Sequence, residues 1–510
     1  MQSGGSMTRD LPEPIPGARP FRKFDSADAA AHKARPRTGK VVASLASAIA
    51  DSGLRHGGTI SFHHHLRDGD LVVNMVLAQL AAMGFRDLHV AASSLFPVHG
   101  TMVEHIRSGV VTRISSAYIT GPVANAISAG ELPHPAIMQT HGGRARAIAA
   151  GELVIDVAFI AAPCADGWGN MNGSCGPSAC GPLGYAMVDA RHARHVIGIT
   201  DHLSTAPLAS IDIPQNEVDA IVAVDTIGDP AKIVSGTTRV TTDPVALDIA
   251  ATTARLIDAS GLLVDGFSFQ TGAGGTSLAV AAALARIMRA KKIVGSFASG
   301  GITSALVGML REGLFRTLYD VQCFDLEAVA SFRENPGHLA MSAQLYASPG
   351  ARGCIADRLD VMILGAAEVD VNFNVNVSAL ASGRIIGGSG GHADTAAGAR
   401  LAIVTTMLRA RSIPKIVSRV ACVTTPGDTI DVVVTEAGVA VNPARQDLIA
   451  ALNAAGIAIT PIETLRDMAC AGAPPPATED RAEGPIVALV QYRDGSIIDV
   501  VCRTPPVTAP

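Results

Sequence analysis

Asp156-Val157-Ala158-Phe159-Ile160-Ala161-Ala162 and Asp360-Val361-Met362-Ile363-Leu364-Gly365-Ala366 share one pattern, an acid followed by an apolar run. The first run leads to Asp166, Asn170 and Asn172, the second to Asp370, Asn374 and Asn376. Every match falls at an offset of 204 residues: 360 against 156, 370 against 166, 376 against 172. Arg107-Ser108-Gly109-Val110 and Arg311-Glu312-Gly313-Leu314 keep that offset, and Ser61-Phe62 matches Ser268-Phe269 at nearly the same one. Register held at separated places implies two tandem copies of one unit, with a period far too long for a solenoid.

Strand and helix signals alternate around these runs. Residues 40–52 read as a helix ending at Gly53, 59–63 as a strand, 71–83 as a helix and 88–93 as a strand. Such alternation implies a parallel α/β sheet. Hydrophobic residues make up 48% of the 510, aromatics only 4%, so the apolar content is aliphatic and suits sheets buried under helices. The expected organisation is a loose arm over 1–36, a first α/β domain over 37–230, a second over 231–468, and a linker with a hairpin over 469–510. The hairpin signal is two apolar runs around Asp494-Gly495; it is expected to carry no chemistry.

Net charge is −5 without a basic patch, so nucleic acid is not an expected partner. The eight cysteines, at 164, 175, 180, 323, 354, 422, 470 and 502, form no CxxC pair and read as reduced cytosolic thiols, with no metal expected. No signal-like run opens the sequence and no uncharged stretch has membrane-spanning length, so a cytoplasmic chain is expected.

Two glycine-rich turns stand out in the second copy. Gln270-Thr271-Gly272-Ala273-Gly274-Gly275-Thr276 precedes a helix over 277–289. Ile385-Ile386-Gly387-Gly388-Ser389-Gly390-Gly391-His392-Ala393-Asp394-Thr395 precedes an alanine-rich run, 396–402, that reads as a helix. Glycine lets backbone approach a ligand closely, and helix N-termini present free N–H groups to anions. Neither turn fits the Walker or dinucleotide patterns. In the first copy the corresponding loop is His63-His64-His65-Leu66-Arg67-Asp68. A zinc site is one reading, but an extended chain lets at most His63 and His65 converge. A carboxylate site built on Arg67 and one histidine is the stronger reading, since Arg grips carboxylates bidentately; a solvated loop is the plain alternative. His141-Gly142-Gly143-Arg144 is a similar candidate. Asn374 and Asn376, two apart on an extended segment, could donate hydrogen bonds to a carbonyl oxygen.

Ser61-Phe62-His63-His64, Gln270-Thr271-Gly272 with Gly274-Gly275, Phe373-Asn374-Val375-Asn376-Val377, Gly390-Gly391-His392 with Asp394-Thr395-Ala396, and Val441-Asn442-Pro443-Ala444-Arg445 together resemble the citrate lyase alpha subunit, the citrate CoA-transferase of that complex. The likeness spans about 40–503, and a more distant one extends to acyl-CoA:carboxylate CoA-transferases. It implies two tandem CoA-transferase-type (isomerase-like) open parallel-sheet domains and exchange of acetyl for citryl on a thioester. The CoA-derived phosphopantetheine-type arm would belong to an acyl carrier (gamma) subunit, or free CoA thioesters would serve; a citryl lyase (beta) subunit would complete a hetero-oligomer. This chain would hold no cofactor. On this reading Asn374, Asn376, Gly390, Gly391 and Asp394 serve catalysis. His63, His65, Arg67, His141 and Arg144 bind citrate or acetate, and Gly272, Gly274, Gly275, Gly387, Gly388 and His392 receive the arm.

Covalent relatives carry a glutamate nucleophile, in some branches on a Gly-Ile-x-x-Glu-Met loop in the second half. The comparable stretch here, Gly301-Ile302-Thr303-Ser304-Ala305-Leu306, has Ala305 in its place. Direct attack by the substrate carboxylate is therefore expected. A covalent transferase or acetyl-CoA hydrolase using Glu368, and a non-catalytic scaffold, are the rival readings.

Overall fold

Two large sheets share one strand order. The computed structural model describes residues 39–234, 241–272, 274–472 and 484–504; the expected arm over 1–36 and residues 473–483 of the expected linker lie outside them. The first half contains β1 (Val41–Val42), β2 (Thr59–Phe62), β3 (Leu88–Ala92), β4 (Val111–Ser116), β5 (Ala136–Met138), β6 (Val157–Ala161), β7 (Cys164–Asp166), β8 (Met171–Asn172), β9 (His195–Thr200), β10 (Leu203–Ser204) and β11 (Ala220–Ala223). The second contains β12 (Ser268–Thr271), β13 (Gly295–Ile302), β14 (Phe315–Cys323), β15 (His338–Ala340), β16 (Val361–Gly365), β17 (Glu368–Asp370), β18 (Val375–Asn376), β19 (Leu401–Thr405), a short ribbon of β20 (Arg409–Ala410) and β21 (Ile413–Pro414), β22 (Ile416–Val417), β23 (Val432–Thr435) and β24 (Gly438–Val441). The C-terminal hairpin is β25 (Ile486–Gln491) and β26 (Ile497–Cys502).

The orders β5-β4-β3-β2-β6-β9-β11 and β15-β14-β13-β12-β16-β19-β23 coincide strand for strand, with β1 and β24 added at the same end. They differ at one end, where β1 runs parallel to β11 but β24 antiparallel to β23. Each half adds a small three-stranded sheet, β10-β7-β8 and β18-β17-β22. The hairpin does not stand apart: β25 pairs in parallel with β5 and extends the first sheet. Central strands such as β6 and β19 are buried at every position, as parallel strands covered on both faces must be.

The repeated polar residues do the same structural work in both halves. Asp156 accepts the Thr59 N–H at 2.8 Å and Asp360 the Ser268 N–H at 2.9 Å, each tying its strand to the neighbour. Asp166 takes the Asn170 N–H and Asn170 Nδ2, and Asp370 takes the Asn374 N–H and Asn374 Nδ2. Gly109 and Gly313 both follow helices at φ +73°, the left-handed stop that glycine adopts without strain.

Two helix expectations are corrected. Residues 40–52 split into β1 and a helix over Leu45–Asp51, capped by the Ser44 hydroxyl on the Ser47 N–H. The run 396–402 is helical only as far as Gly398: the helix is His392–Gly398 and β19 begins at Leu401. Gly398 lies where a Cβ would sit 2.5 Å from the Ala356 carbonyl oxygen, so the chain turns against that segment rather than winding on. Among the described residues no helix is long and apolar enough to cross a membrane.

Candidate active site

Parallel pairing places the loops after β2, β3, β4 and β5 along one edge of the first sheet, where α/β folds bind ligands. Those loops begin at His63, Ser93, Ala117 and Gln139. Against this edge the second half lays its central glycine segment. Gly390 donates its N–H to the Ala117 oxygen at 2.9 Å and accepts that of His141 at 2.8 Å, and the Ile119 N–H reaches the Gly387 oxygen. β14 adds a second crossing, with Gln322 Nε2 donating to the His64 carbonyl at 2.6 Å.

At this seam sits a buried group of aromatic and imidazole rings. Tyr185 lies 4.5 Å, centroid to centroid, from both His64 and His141, which stack on each other at 5.4 Å and 13°. His65 is 6.3 Å from Tyr185. Arg67, held at φ +52°, lays its guanidinium over Phe324 at 4.6 Å and faces Phe96 at 5.6 Å. On the other side Gln270 Nε2 donates to the Tyr346 hydroxyl at 2.8 Å, beside Gly391. Burial holds the His65 and His141 imidazoles down to about 3, helped by the neighbouring His63 and Arg144 respectively; His64 is lowered in the same way, burial first and then His141. All three rings are therefore neutral at neutral pH. Both ring nitrogens of His65, His141 Nδ1 and Gln322 Oε1 are buried without a hydrogen-bond partner among the described residues. Buried polar groups left so are uncommon and call for an explanation.

The residues expected at the site divide sharply. His65, Arg67, His141, Gly390 and Gly391 gather at the seam. His63 is also buried there, but its Nε2 lies 3.1 Å from Asp189. Arg144 is engaged elsewhere: it forms a buried bidentate pair with Asp189 at 2.8 and 2.6 Å and donates to the Ala91 oxygen. The Asn pair is likewise corrected. Asn374 Nδ2 donates to Asp370 and its Oδ1 accepts the Gly427 N–H; Asn376 Nδ2 donates to Glu368 and the Ala379 oxygen. Both amides hold turns, as their counterparts Asn170 and Asn172 do, and Asn376 spends both its N–H donors in doing so.

Asp394 is a strut. Fully buried, it accepts Thr140 Oγ1 and the Gly142 N–H, both at 2.8 Å, across the seam. Burial pushes its carboxyl up to about 6, opposed by those hydrogen bonds and by Arg493, 3.8 Å away. His392 is committed at both nitrogens, to the Thr425 hydroxyl and the Gly365 oxygen. Gly387 and Gly388 are packing glycines, since a Cβ would sit 2.7 Å from the Val377 oxygen and 2.4 Å from the Ala117 oxygen. Gly272 and Gly274 differ: a Cβ would meet nothing closer than 3.4 Å at Gly272 and 3.9 Å at Gly274, and Gly275 opens the helix Gly275–Lys291.

Gly391 is small because of a neighbour. Its Cβ position is 2.4 Å from the Tyr346 hydroxyl oxygen. Gly391→Ala should therefore displace Tyr346 and lower turnover at least tenfold, and adding Tyr346→Phe, which deletes that oxygen, should restore part of the loss. Steady-state rates of the two variants check this.

Arg493, in the hairpin turn, was outside every sequence expectation. It donates to the Ala347 oxygen at 3.2 Å and to Asp357 at 3.3 Å, and the hairpin's Gln491 accepts Gln139 Nε2. The hairpin thus braces the segment that leads into His141. Tyr185, Tyr346, Phe96, Phe324 and Gln322 were also missed; nothing local in their sequence marks them. Ala305 does not face the seam: it lines an outer cleft of about 580 Å³ among the helices Pro244–Ala259, Gly275–Lys291 and Ser304–Arg311. Its identity therefore says nothing about a nucleophile at the seam. Glu368, the rival nucleophile, is held by Asn376 Nδ2 at 2.9 Å and the Ala421 N–H at 3.0 Å.

Residues 38–504 match the family described as citrate lyase, alpha subunit (CitF). The chain is 48% identical over 474 residues to the citrate lyase alpha chains of Klebsiella pneumoniae and of Escherichia coli K12, covering 92% of each partner in both cases. A solved citrate lyase alpha subunit from Streptococcus mutans, in complex with citrate, superposes with a TM-score of 0.89 at 45% identity over 92% of both chains. The malonate decarboxylase hetero-tetramer of Pseudomonas matches at 0.65 and 17% identity over 84% of this chain and 86% of its own, a likeness of fold. With the family match spanning nearly the whole described chain, this protein belongs to the citrate lyase alpha-subunit family.

Proposed function

We propose that this chain is the citrate CoA-transferase subunit of a citrate lyase, exchanging acetyl for citryl on a thioester carried by the phosphopantetheine-type arm of an acyl carrier subunit, beside a citryl lyase subunit. The observation that carries the reading is the seam itself: neutral, partnerless imidazole nitrogens and an open glycine turn lie on facing strand ends of two halves. In the proposed path a citrate carboxylate attacks the acetyl thioester carbonyl and the arm leaves as a thiolate, giving a mixed anhydride. The thiolate then attacks the citryl carbonyl of that anhydride and acetate departs. No glutamate of this chain enters, in keeping with the hydrogen bonds that hold Glu368. The chain's residues act by position. His65, His141 and Gln322 Oε1 meet the substrate's carboxylates and hydroxyl, Arg67 supplies positive charge, and the buried rings exclude water that would hydrolyse the anhydride.

Initial rates with acetyl-carrier and citrate should give intersecting lines, because both substrates are bound together. Hydroxylamine or borohydride added with the acyl thioester should leave the enzyme active. Parallel lines with a trapped glutamyl adduct would falsify the direct path and favour a covalent enzyme. Arg67→Ala should raise the citrate KM by about tenfold to a hundredfold, roughly 1.4 to 2.8 kcal/mol, with acetyl-carrier KM little changed. An unaltered citrate KM removes Arg67 from the site.

A further inference from the structure

A second polar cluster lies in the second half, apart from the ring group. Asp320 and Cys323 stand on β14 and His338 opens β15 beside them, and all three are buried. Asp320 Oδ2 is 3.0 Å from Cys323 Sγ and 3.0 Å from His338 Nε2, and one ligand atom from each residue falls within 4.8 Å of the other two. Thiolate, imidazole and carboxylate together make a donor set suited to a tetrahedral transition cation. The outer contacts fit the same use. His338 Nδ1 lies 3.2 Å from the Ser331 hydroxyl, and Asp320 Oδ1 accepts the Gln322 N–H at 2.8 Å, so the ligands are themselves oriented.

The first half closes the cluster. A Cβ at Gly181 would sit 2.4 Å from Cys323 Sγ, so only glycine lets that segment cross, and the preceding Cys180 is buried beside it. An outer cavity of about 630 Å³, lined by Asn172, Asp212, Phe332 and His338, gives a path from solvent. From these observations we propose that Asp320, Cys323 and His338 bind one zinc-type divalent cation, with water as fourth ligand, under the first-half segment at Gly181. On binding, the cation replaces the Cys323 thiol proton, which is released. The His338 proton moves from Nε2 to Nδ1 and points at Ser331, with no net change. A 2+ ion with one thiolate, one carboxylate and a neutral imidazole is electrically neutral, which suits a buried position. Tetrahedral distances of about 2.0 Å to N and O and 2.3 Å to S ask the Asp–Cys separation to open by about half an ångström. The sequence hides the set, because 320, 323 and 338 follow no zinc-ligand spacing.

The test uses the full-length chain, stripped with chelator and titrated with Co(II), then Zn(II). Expected are one cobalt per chain at micromolar concentration with a thiolate-to-cobalt charge-transfer band, release of one proton, and a higher Tm that chelator reverses. Cys323 is buried and reacts only when the fold opens, so zinc should also slow its alkylation in mild denaturant, read by peptide mapping. Cys323→Ser should abolish the band and His338→Gln weaken binding at least tenfold, while Cys175→Ser, which alters the exposed thiol, should leave it intact. The proposal is overturned if the stripped, folded chain shows no band, if the band survives Cys323→Ser or vanishes with Cys175→Ser, or if zinc gives Cys323 no protection. The last measurement needs no variant, so a substitution that fails to fold does not leave the question open.

Discussion

Arg144→Ala should destabilise the chain by about 3–5 kcal/mol, seen as a lower denaturant midpoint with an unchanged m-value. The guanidinium is almost fully buried and bonds both Asp189 oxygens and the Ala91 carbonyl. It joins the helix His141–Ala149 to the helix Ala186–His192, whose preceding residue Tyr185 packs on His64 and His141. Burial works against the Asp189 charge; Arg144 and then His63 overcome it and hold the carboxyl below its usual range. Remove the guanidinium and a desolvated carboxylate is left with one histidine. The cost comes from that stranded charge rather than from the pair's net worth, so Arg144→Met with Asp189→Asn should recover much of the stability lost by the single change. A residue that gripped substrate would behave otherwise, with citrate KM rising at unchanged stability. That result would return Arg144 to the binding site.

Arg144 shows what the sequence could and could not disclose. Its place in His141-Gly142-Gly143-Arg144 suggested chemistry, but its partner Asp189 lies 45 residues on, and nothing between announces the pairing. The 204-residue offset was legible because both copies need the same strand ties and turn anchors, at Asp156 and Asp360, Asp166 and Asp370. The same fact misled the reading of Asn374 and Asn376. Polar residues kept in both copies of a duplication are those that hold the fold of each, whereas a site built once, between the copies, needs residues that differ. His64, Tyr185, Gln322 and Tyr346 fit that rule, and none of them lies in the repeated pattern. The hairpin was readable from its period and its Asp494-Gly495 turn, but the edge it joins is a tertiary choice. Pairing with β5 is what carries Arg493 to Asp357 and the Ala347 oxygen.

The largest loss of turnover is expected from one methyl group at Gly142. A Cβ there would lie 2.0 Å from the Ala347 oxygen, 2.5 Å from its carbon and 2.7 Å from Asp394 Oδ1, two of the three being backbone atoms that no rotamer change can move. The Gly142 N–H also donates to Asp394 Oδ2, and the adjacent His141 N–H donates to Gly390. To admit Gly142→Ala the second half must retreat by about an ångström, which stretches the Asp394 hydrogen bonds to Thr140 and Gly142. It also draws Gly390 and Gly391 away from the rings of the first half. Misplacement on that scale costs roughly a hundredfold in rate, and overpacking adds about 1–3 kcal/mol of instability. Gly308→Ala makes the matched control. It lies within the helix Ser304–Arg311 with nothing inside 4 Å of the added carbon, so it should stabilise the chain by about 0.5–1 kcal/mol and leave kcat alone. Far-UV circular dichroism, denaturant melts and kcat on both variants separate a displaced site from a lost fold. Wild-type kcat in folded Gly142→Ala would mean that the seam yields without consequence, and that the reaction does not depend on the register between the two halves.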